Sequence, residues 1–231
     1  MANFFTKETK LQNSQWQDFS AAAGATVKLR VAGAVAHLRL CRSEKRNAMN
    51  DQMLGELHRH MLDLPPGVRV AVLTAEGPHF CAGLDLSDVE ERGPAEAMAH
   101  SRRWHAAFDE IQFGRVPVLA VLQGAVVGGG LELASACHLR VAETSTYFGL
   151  PEAQRGIFVG GGGSVRIPKL IGVSRMTDMM LTGRLFNAEQ AETMGLVNYA
   201  VGPGASLPKA LELAERIASN AALSNFAVTH A

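Results

Sequence analysis

"VPVLAVLQGAVVGGGLELASACH" (residues 116–138) passes from an apolar run into three consecutive glycines and then sets one carboxylate, Glu132, among helix-forming apolar residues. Its first part, dense in Val and Leu, predicts a strand buried on both faces, and "GGGLELASACH" predicts a helix that opens on glycines. The run is long enough to resemble a membrane span, but Gln123, Glu132 and the glycines at 124, 128, 129 and 130 interrupt it, which argues against one.

Outward from this stretch the pattern alternates. "TVKLRVAG" and "AVAHLRLCR" predict a strand pair around Gly33. "NDQMLGELHRHMLDLPPG" has Asn50 and Asp51 as caps, carries Met53, Leu54, Leu57, Met61 and Leu62 at helical spacing, and stops at Pro65. "VRVAVLTAEG" predicts another buried strand and "PAEAMAHSRRWHAAFDEIQFG" a helix. This order predicts an α/β fold, a mixed or parallel layered sheet with helices outside it. After residue 160 the pattern is largely helical, in "SVRIPKLIG", "VSRMTDMMLTG", "NAEQAETMG" and "LPKALELAERIASNA".

Composition narrows the function classes. The chain has 231 residues, 47% of them hydrophobic, enough for one substantial core. Lys plus Arg and Asp plus Glu are both 22, so no global field draws the chain to nucleic acid or to a membrane surface, and neither is expected as a partner. Cys41, Cys81 and Cys137 are odd in number and far apart, which fits a reducing, cytoplasmic setting rather than a disulfide framework or a zinc site. His58 and His60 are two apart on a helix, hence on different faces, and make no metal pair. The N-terminal stretch, without the ordered regions of a signal peptide, reads as a polar lead-in.

The glycines do not spell a nucleotide site. Neither "GAVVGGG" nor "GGGGSVR" contains G-x-x-x-x-G-K-[ST], no dinucleotide fingerprint follows a strand, and Ser164 lacks the closing glycine of a nucleophile elbow. A helix opening on glycines does expose backbone N–H groups with no partner inside the helix, at the positive end of its dipole. If Gly129 supplies such an N–H, Glu132 lies three residues on, on the same helical face and one turn deeper. The spacing alone is equally served by a plainer arrangement, in which Gly128, Gly129 and Gly130 only allow tight packing and Glu132 points to solvent.

Four stretches in register go further: "EKRNAMN" (44–50), "HFCAGLDL" (79–86), "GAVVGGGLELASACHLRVAE" (124–143) and "FGLPEAQRGIFVGGGGSVRIPKLIG" (148–172). Together they resemble the crotonase superfamily, whose best-known members are enoyl-CoA hydratases. The resemblance implies a spiral of strand-strand-helix repeats as the core, residues 1–200 with 1–25 as the lead-in. It also implies a helical oligomerisation region that begins at 201–231 and is incomplete there, and a homotrimer or dimer of trimers.

It further implies that the N–H groups of Ala82 and Gly129 grip the thioester oxygen of an acyl-CoA, and that Glu132 and Glu152 handle protons beside it, Glu132 mainly for water and Glu152 mainly at the alpha carbon. The expected reaction is hydration of a trans-2-enoyl-CoA, with CoA as part of the substrate, no other cofactor and no metal. The alternatives within the superfamily are an isomerase, a hydrolase or methylthioacryloyl-CoA hydratase-like enzyme, or a non-catalytic relative. Arg42, Lys45 and Arg46, together in one loop, suit contact with the CoA pyrophosphate or 3'-phosphate, or else form a solvated charge cluster, and Gly83, Leu84 and Asp85 are expected to shape the loop beside the thioester. Two departures from the family pattern are Val159, where proline is usual, and His138, where aspartate is usual. Cys81 is expected to pack rather than react. Met176, Met179 and Met180 are expected in the core or at a subunit contact.

Overall fold

A computed structural model of the chain describes residues 15–19, 24–88 and 93–231. Most of the lead-in, 1–14 and 20–23, lies outside the described residues. Ten strands and eight helices are found among the described residues: β1 Gln17–Asp18, β2 Val27–Ala32, β3 Val35–Leu40, α1 Asp51–Leu62, β4 Val70–Ala75, α2 Pro94–Phe113, β5 Val118–Leu122, β6 Ala125–Val127, α3 Gly129–Ala136, β7 Leu139–Glu143, β8 Tyr147–Gly149, α4 Gly163–Ile171, α5 Val173–Thr182, β9 Phe186–Asn187, α6 Ala188–Thr193, β10 Tyr199–Val201, α7 Ser206–Ser219 and α8 Ala222–Thr229.

Seven strands form the main sheet in the order β1-β2-β3-β4-β5-β7-β10, and β6-β8-β9 form a small second sheet. β3, β4, β5, β7 and β10 pair in parallel, while β2 pairs antiparallel with β3 through the turn at Gly33. The unbroken apolar runs of β4 and β5 follow from burial on both faces. Val70, Val72, Leu119 and Val121 face α7, which covers that side with Ala210, Leu211, Leu213 and Ala214. Ala71, Leu73, Val118, Ala120 and Leu122 face the larger core, shared with Met53, Leu57, Phe108 and Phe148. Each large side chain fully buried there contributes about 2 kcal/mol or more.

The expected helices and strands are present. α1 starts where Asn50 accepts the Met53 N–H at 2.9 Å, and it buries Met53, Leu54, Leu57 and Met61 while Leu62 points outward. Met176 and Met179 are buried. Of the lead-in, Gln17–Asp18 is described and forms a strand against β2. Residues 116–134 divide into β5, a turn, β6 and the start of α3, and no helix among the described residues is long and apolar enough to cross a membrane.

His138 has a structural use. Its Nδ1 accepts the Val118 N–H at 3.0 Å and its Nε2 lies 3.0 Å from the Gln112 carbonyl, so a neutral ring joins the edge of β5 to the end of α2. Burial lowers its pKa, which keeps it neutral. Val159 is buried in the larger core. Burial also pushes the Cys81 thiol up to about 12, in keeping with a packing role.

Candidate active site

The site begins with two extended segments held side by side. The Cys81 N–H donates to the Ala125 carbonyl at 3.0 Å and Val127 N–H to the Cys81 carbonyl at 3.1 Å, which pins the 79–86 loop to β6. On its other edge, Met49 N–H donates to the Gly83 carbonyl at 2.7 Å and Asp85 N–H to the Met49 carbonyl at 2.9 Å. Successive amides of an extended segment point in opposite directions. The Leu84 N–H therefore points away from Met49, and it finds no acceptor among the described residues. Gly83, at φ +99°, lies so close to α3 that a Cβ there would meet the Gly129 nitrogen at 3.4 Å and the Val127 carbonyl at 2.9 Å.

Gly129 is the first residue of α3, so its N–H has no acceptor within the helix. A Cβ on Gly129 would strike the Trp104 ring at 2.8 Å. The tight packing weighed as the plainer arrangement is thus real, but it does not turn Glu132 to solvent: Glu132 is 3% exposed.

The expectation for Ala82 requires correction. Its N–H donates to the Arg46 carbonyl at 3.0 Å and is already committed. Two residues on, the Leu84 amide is left without a partner among the described residues. Arg42 is corrected as well. Its guanidinium is mostly covered, bonded to the Ala48 carbonyl and to Asp85 Oδ2 at 2.8 Å, so it braces the loop. Asp85 also accepts from the Ser87 hydroxyl and amide, and these bonds, with Arg42, hold its carboxyl down at about 2. Lys45 and Arg46, both exposed, line a cavity of about 950 Å³, as do Gly83, Leu84 and Asp85.

Both glutamates line that cavity, together with Gly128, Gly129 and Trp104. Glu132 Oε1 accepts two backbone amides, Gly161 N–H at 2.8 Å and Gly163 N–H at 2.9 Å, at the N-terminal end of α4. The second glycine run, 160–163, is what makes this possible, since a Cβ on Gly163 would lie 2.6 Å from Glu132 Cγ. Nothing in the spacing of the sequence pointed to this use.

Glu152 opens a 3-10 turn, Glu152–Arg155, and its Oε1 comes within 3.0 Å of where a Cβ on Gly128 would stand. Its Oε2 is buried with no hydrogen-bond partner among the described residues. Burial, reinforced by the negative charge of Glu132, pushes the Glu152 carboxyl up to about 7. Burial also raises Glu132, but the Gly163 and Gly161 amides, Arg166 and His105 all oppose it. Among the described residues no group of His, Cys, Asp and Glu is arranged to hold a metal ion.

An enoyl-CoA hydratase/isomerase family model matches residues 30–231. The chain belongs to the enoyl-CoA hydratase/isomerase family, within the crotonase superfamily.

It is 37% identical over 201 residues to the enoyl-CoA isomerase/hydratase fer4 of Mycosarcoma maydis, covering 82% of this chain and 73% of that protein. It is 36% identical to the mitochondrial enoyl-CoA hydratase domain-containing protein 2 of Mus musculus, over 79% of this chain and 64% of the relative. The chain spans only 22% of the fatty acid oxidation complex subunit alpha of Shewanella loihica, at 43% identity over 64% of this chain. Among solved structures, a candidate enoyl-CoA hydratase from Rhodopseudomonas palustris CGA009 superposes with a TM-score of 0.87 at 51% identity, covering 91% of this chain and 81% of that one. A candidate enoyl-CoA hydratase from Thermobifida fusca YX, solved in complex with CoA, superposes at 0.83 with 27% identity, over 89% and 83% of the two chains. The crotonase fold of this enoyl-CoA hydratase/isomerase family member is thereby established.

Proposed function

We propose that this chain hydrates a trans-2-enoyl-CoA to the 3-hydroxyacyl-CoA. The observation that carries the proposal is the pair of buried carboxylates on one cavity, one bonded to two amides and the other left without a partner on Oε2. Adding water across a conjugated double bond needs a base for the water and an acid for the alpha carbon, and two carboxyls in unlike surroundings meet that need.

In the proposed reaction the thioester carbonyl lies between the Leu84 and Gly129 amides. Glu132, ionised, takes a proton from water as the water oxygen bonds to C3. The π electrons move onto the thioester oxygen, where each amide, already in place, lowers the barrier by about 3 kcal/mol. The resulting enolate collapses and takes its proton at C2 from Glu152. The two carboxyls then exchange protons with solvent to restore the starting state. CoA enters only as part of the substrate, and no metal or second cofactor takes part. The exposed Lys45 and Arg46 on the cavity lining suit the CoA phosphates, and the CoA complex of the Thermobifida relative supports an acyl-CoA ligand. The exposed Val173, Leu181 and Leu223 suit the trimeric assembly expected above.

The test adds a short trans-2-enoyl-CoA and follows loss of the conjugated thioester's ultraviolet absorbance, with free thiol measured in parallel. Absorbance loss without thiol is the expected result. Thiol release would make the chain a hydrolase, and a migrated double bond without added water would make it an isomerase.

A further inference from the structure

Gly161, one of the two glycines that hold Glu132, is itself held by a side chain that does not line the cavity. Arg166, in the first turn of α4, is buried, and each nitrogen of its guanidinium has a different partner. Nη1 donates to the Gly161 carbonyl at 2.8 Å, Nε to Gln112 Oε1 at 2.6 Å, and Nη2 to Asp109 Oδ1. Asp109 and Gln112 stand three apart on α2, hence on one face, and present a matched pair of acceptors to a planar fork. Gly161 is consequently gripped at both ends of its backbone: its N–H by Glu132, its C=O by Arg166. At Gly162 a Cβ would lie 2.3 Å from Arg166 Nη1, so the space a side chain would take is filled by the guanidinium.

We propose that Arg166 is a positioning residue for Glu132: fixed by Asp109 and Gln112, it keeps the Gly161 and Gly163 amides aimed at the carboxylate and supplies the positive charge that favours its ionised form. The groups that face Glu132 are His105 from α2, Glu152 from the 3-10 turn, Arg166 from α4 and the two amides, while α3 carries no other titratable side chain. Of these, Arg166 alone is both permanently charged and bonded to the loop that binds the carboxylate.

The inference rests on the reading of Glu132 as the base, and it is tested on two readouts. In the kinetic one, kcat/KM is followed against pH. The acid-side limb, where Glu132 must be ionised, is expected to move up by about one pH unit in Arg166→Met. Arg166→Lys, which keeps the charge and loses the fork, is expected to lower kcat and leave the limb near its wild-type place. Asp109→Asn leaves the arginine charge uncompensated, so the limb is expected to stay or move slightly down. A purely structural loosening would lower the rate at every pH and leave the limb in place. An unmoved limb in Arg166→Met, or an equal upward shift in Asp109→Asn, overturns the proposal. If Arg166→Met does not fold, an upward shift of a full pH unit in Arg166→Lys does the same.

The second readout needs no turnover. In free protein with 13C-labelled glutamate carboxyls, the resonance missing from Glu132→Gln is expected to titrate higher in Arg166→Met. That shift would appear whether or not the chain is a hydratase, so failure of the hydration assay and failure of this inference are told apart.

Discussion

Glu132 and Glu152 are buried almost alike, 3% and 5% exposed, and line the same cavity, yet their surroundings are opposite in kind. Glu132 leans on a glycine run whose amides are pointed inward at it and a buried arginine behind them. Glu152 lies against Gly128 of the other glycine run, and among the described residues nothing donates to its Oε2. Burial raises the pKa of both. The partners divide them: two backbone amides of another segment and a guanidinium oppose that rise at Glu132, whereas at Glu152 only its own backbone amide opposes it and the charge of Glu132 adds to it. In the proposed reaction this difference is what would let two copies of the same side chain serve as a base and an acid.

The comparison can be broken most severely at the carboxyls. Glu132→Gln and Glu152→Gln are each expected to reduce kcat about a hundredfold or more while acyl-CoA still binds, measured by steady-state kinetics alongside calorimetric binding. A near-normal rate in either would remove that residue's assigned role.

The next largest effect is expected in the second glycine run. In Gly163→Ala the new methyl falls on Glu132 Cγ, at 2.6 Å, so the carboxylate must shift and kcat should drop about tenfold or more with little change in KM.

Stability against pH sharpens the contrast further. With its folded pKa raised to about 7, well above the unfolded value, Glu152 binds a proton in the native state that the unfolded chain has already released. Its contribution is therefore lost as pH rises from about 4.5 to about 7. Glu152→Gln should accordingly be more stable than wild type at pH 8, by up to about 2 kcal/mol, and near equal at pH 4.5, in denaturant titrations at the two pH values. Equal stabilities at both would mean that Glu152 is not strained by its burial.

The smallest expected effect is Gly160→Ala. There a Cβ meets nothing nearer than the Phe158 carbonyl at 3.9 Å, so the rate should stay within about threefold of wild type. A large loss would show that the run as a whole, and not its contact with Glu132, matters.

The parts of this arrangement that could be read in the sequence are local. Gly129 and Glu132 share one helix, so three-residue spacing places them on one face, and the family motif supplied Glu152. The apolar density of β4 and β5 marked them as central strands. What could not be read depends on chain segments far apart. Ala82 stood in the right loop, but its amide is taken by the Arg46 carbonyl, 36 residues earlier, and alternation along the extended segment frees Leu84 instead. Arg42 resembled Lys45 and Arg46 until its partners, Asp85 and the Ala48 carbonyl, were seen. The use of residues 160–163 depends on α4 docking against α3, and no spacing within either helix encodes that meeting. β6 and β8, three residues each, are too short for a period to show.

The division between the two carboxyls is open to direct observation by infrared spectroscopy of the free protein across pH 5 to 9. The account predicts a protonated-carboxyl band that persists at pH 6, fades as pH passes about 7, and is missing from Glu152→Gln but retained in Glu132→Gln. A band unaffected by Glu152→Gln, or no protonated buried carboxyl at pH 6, would contradict it.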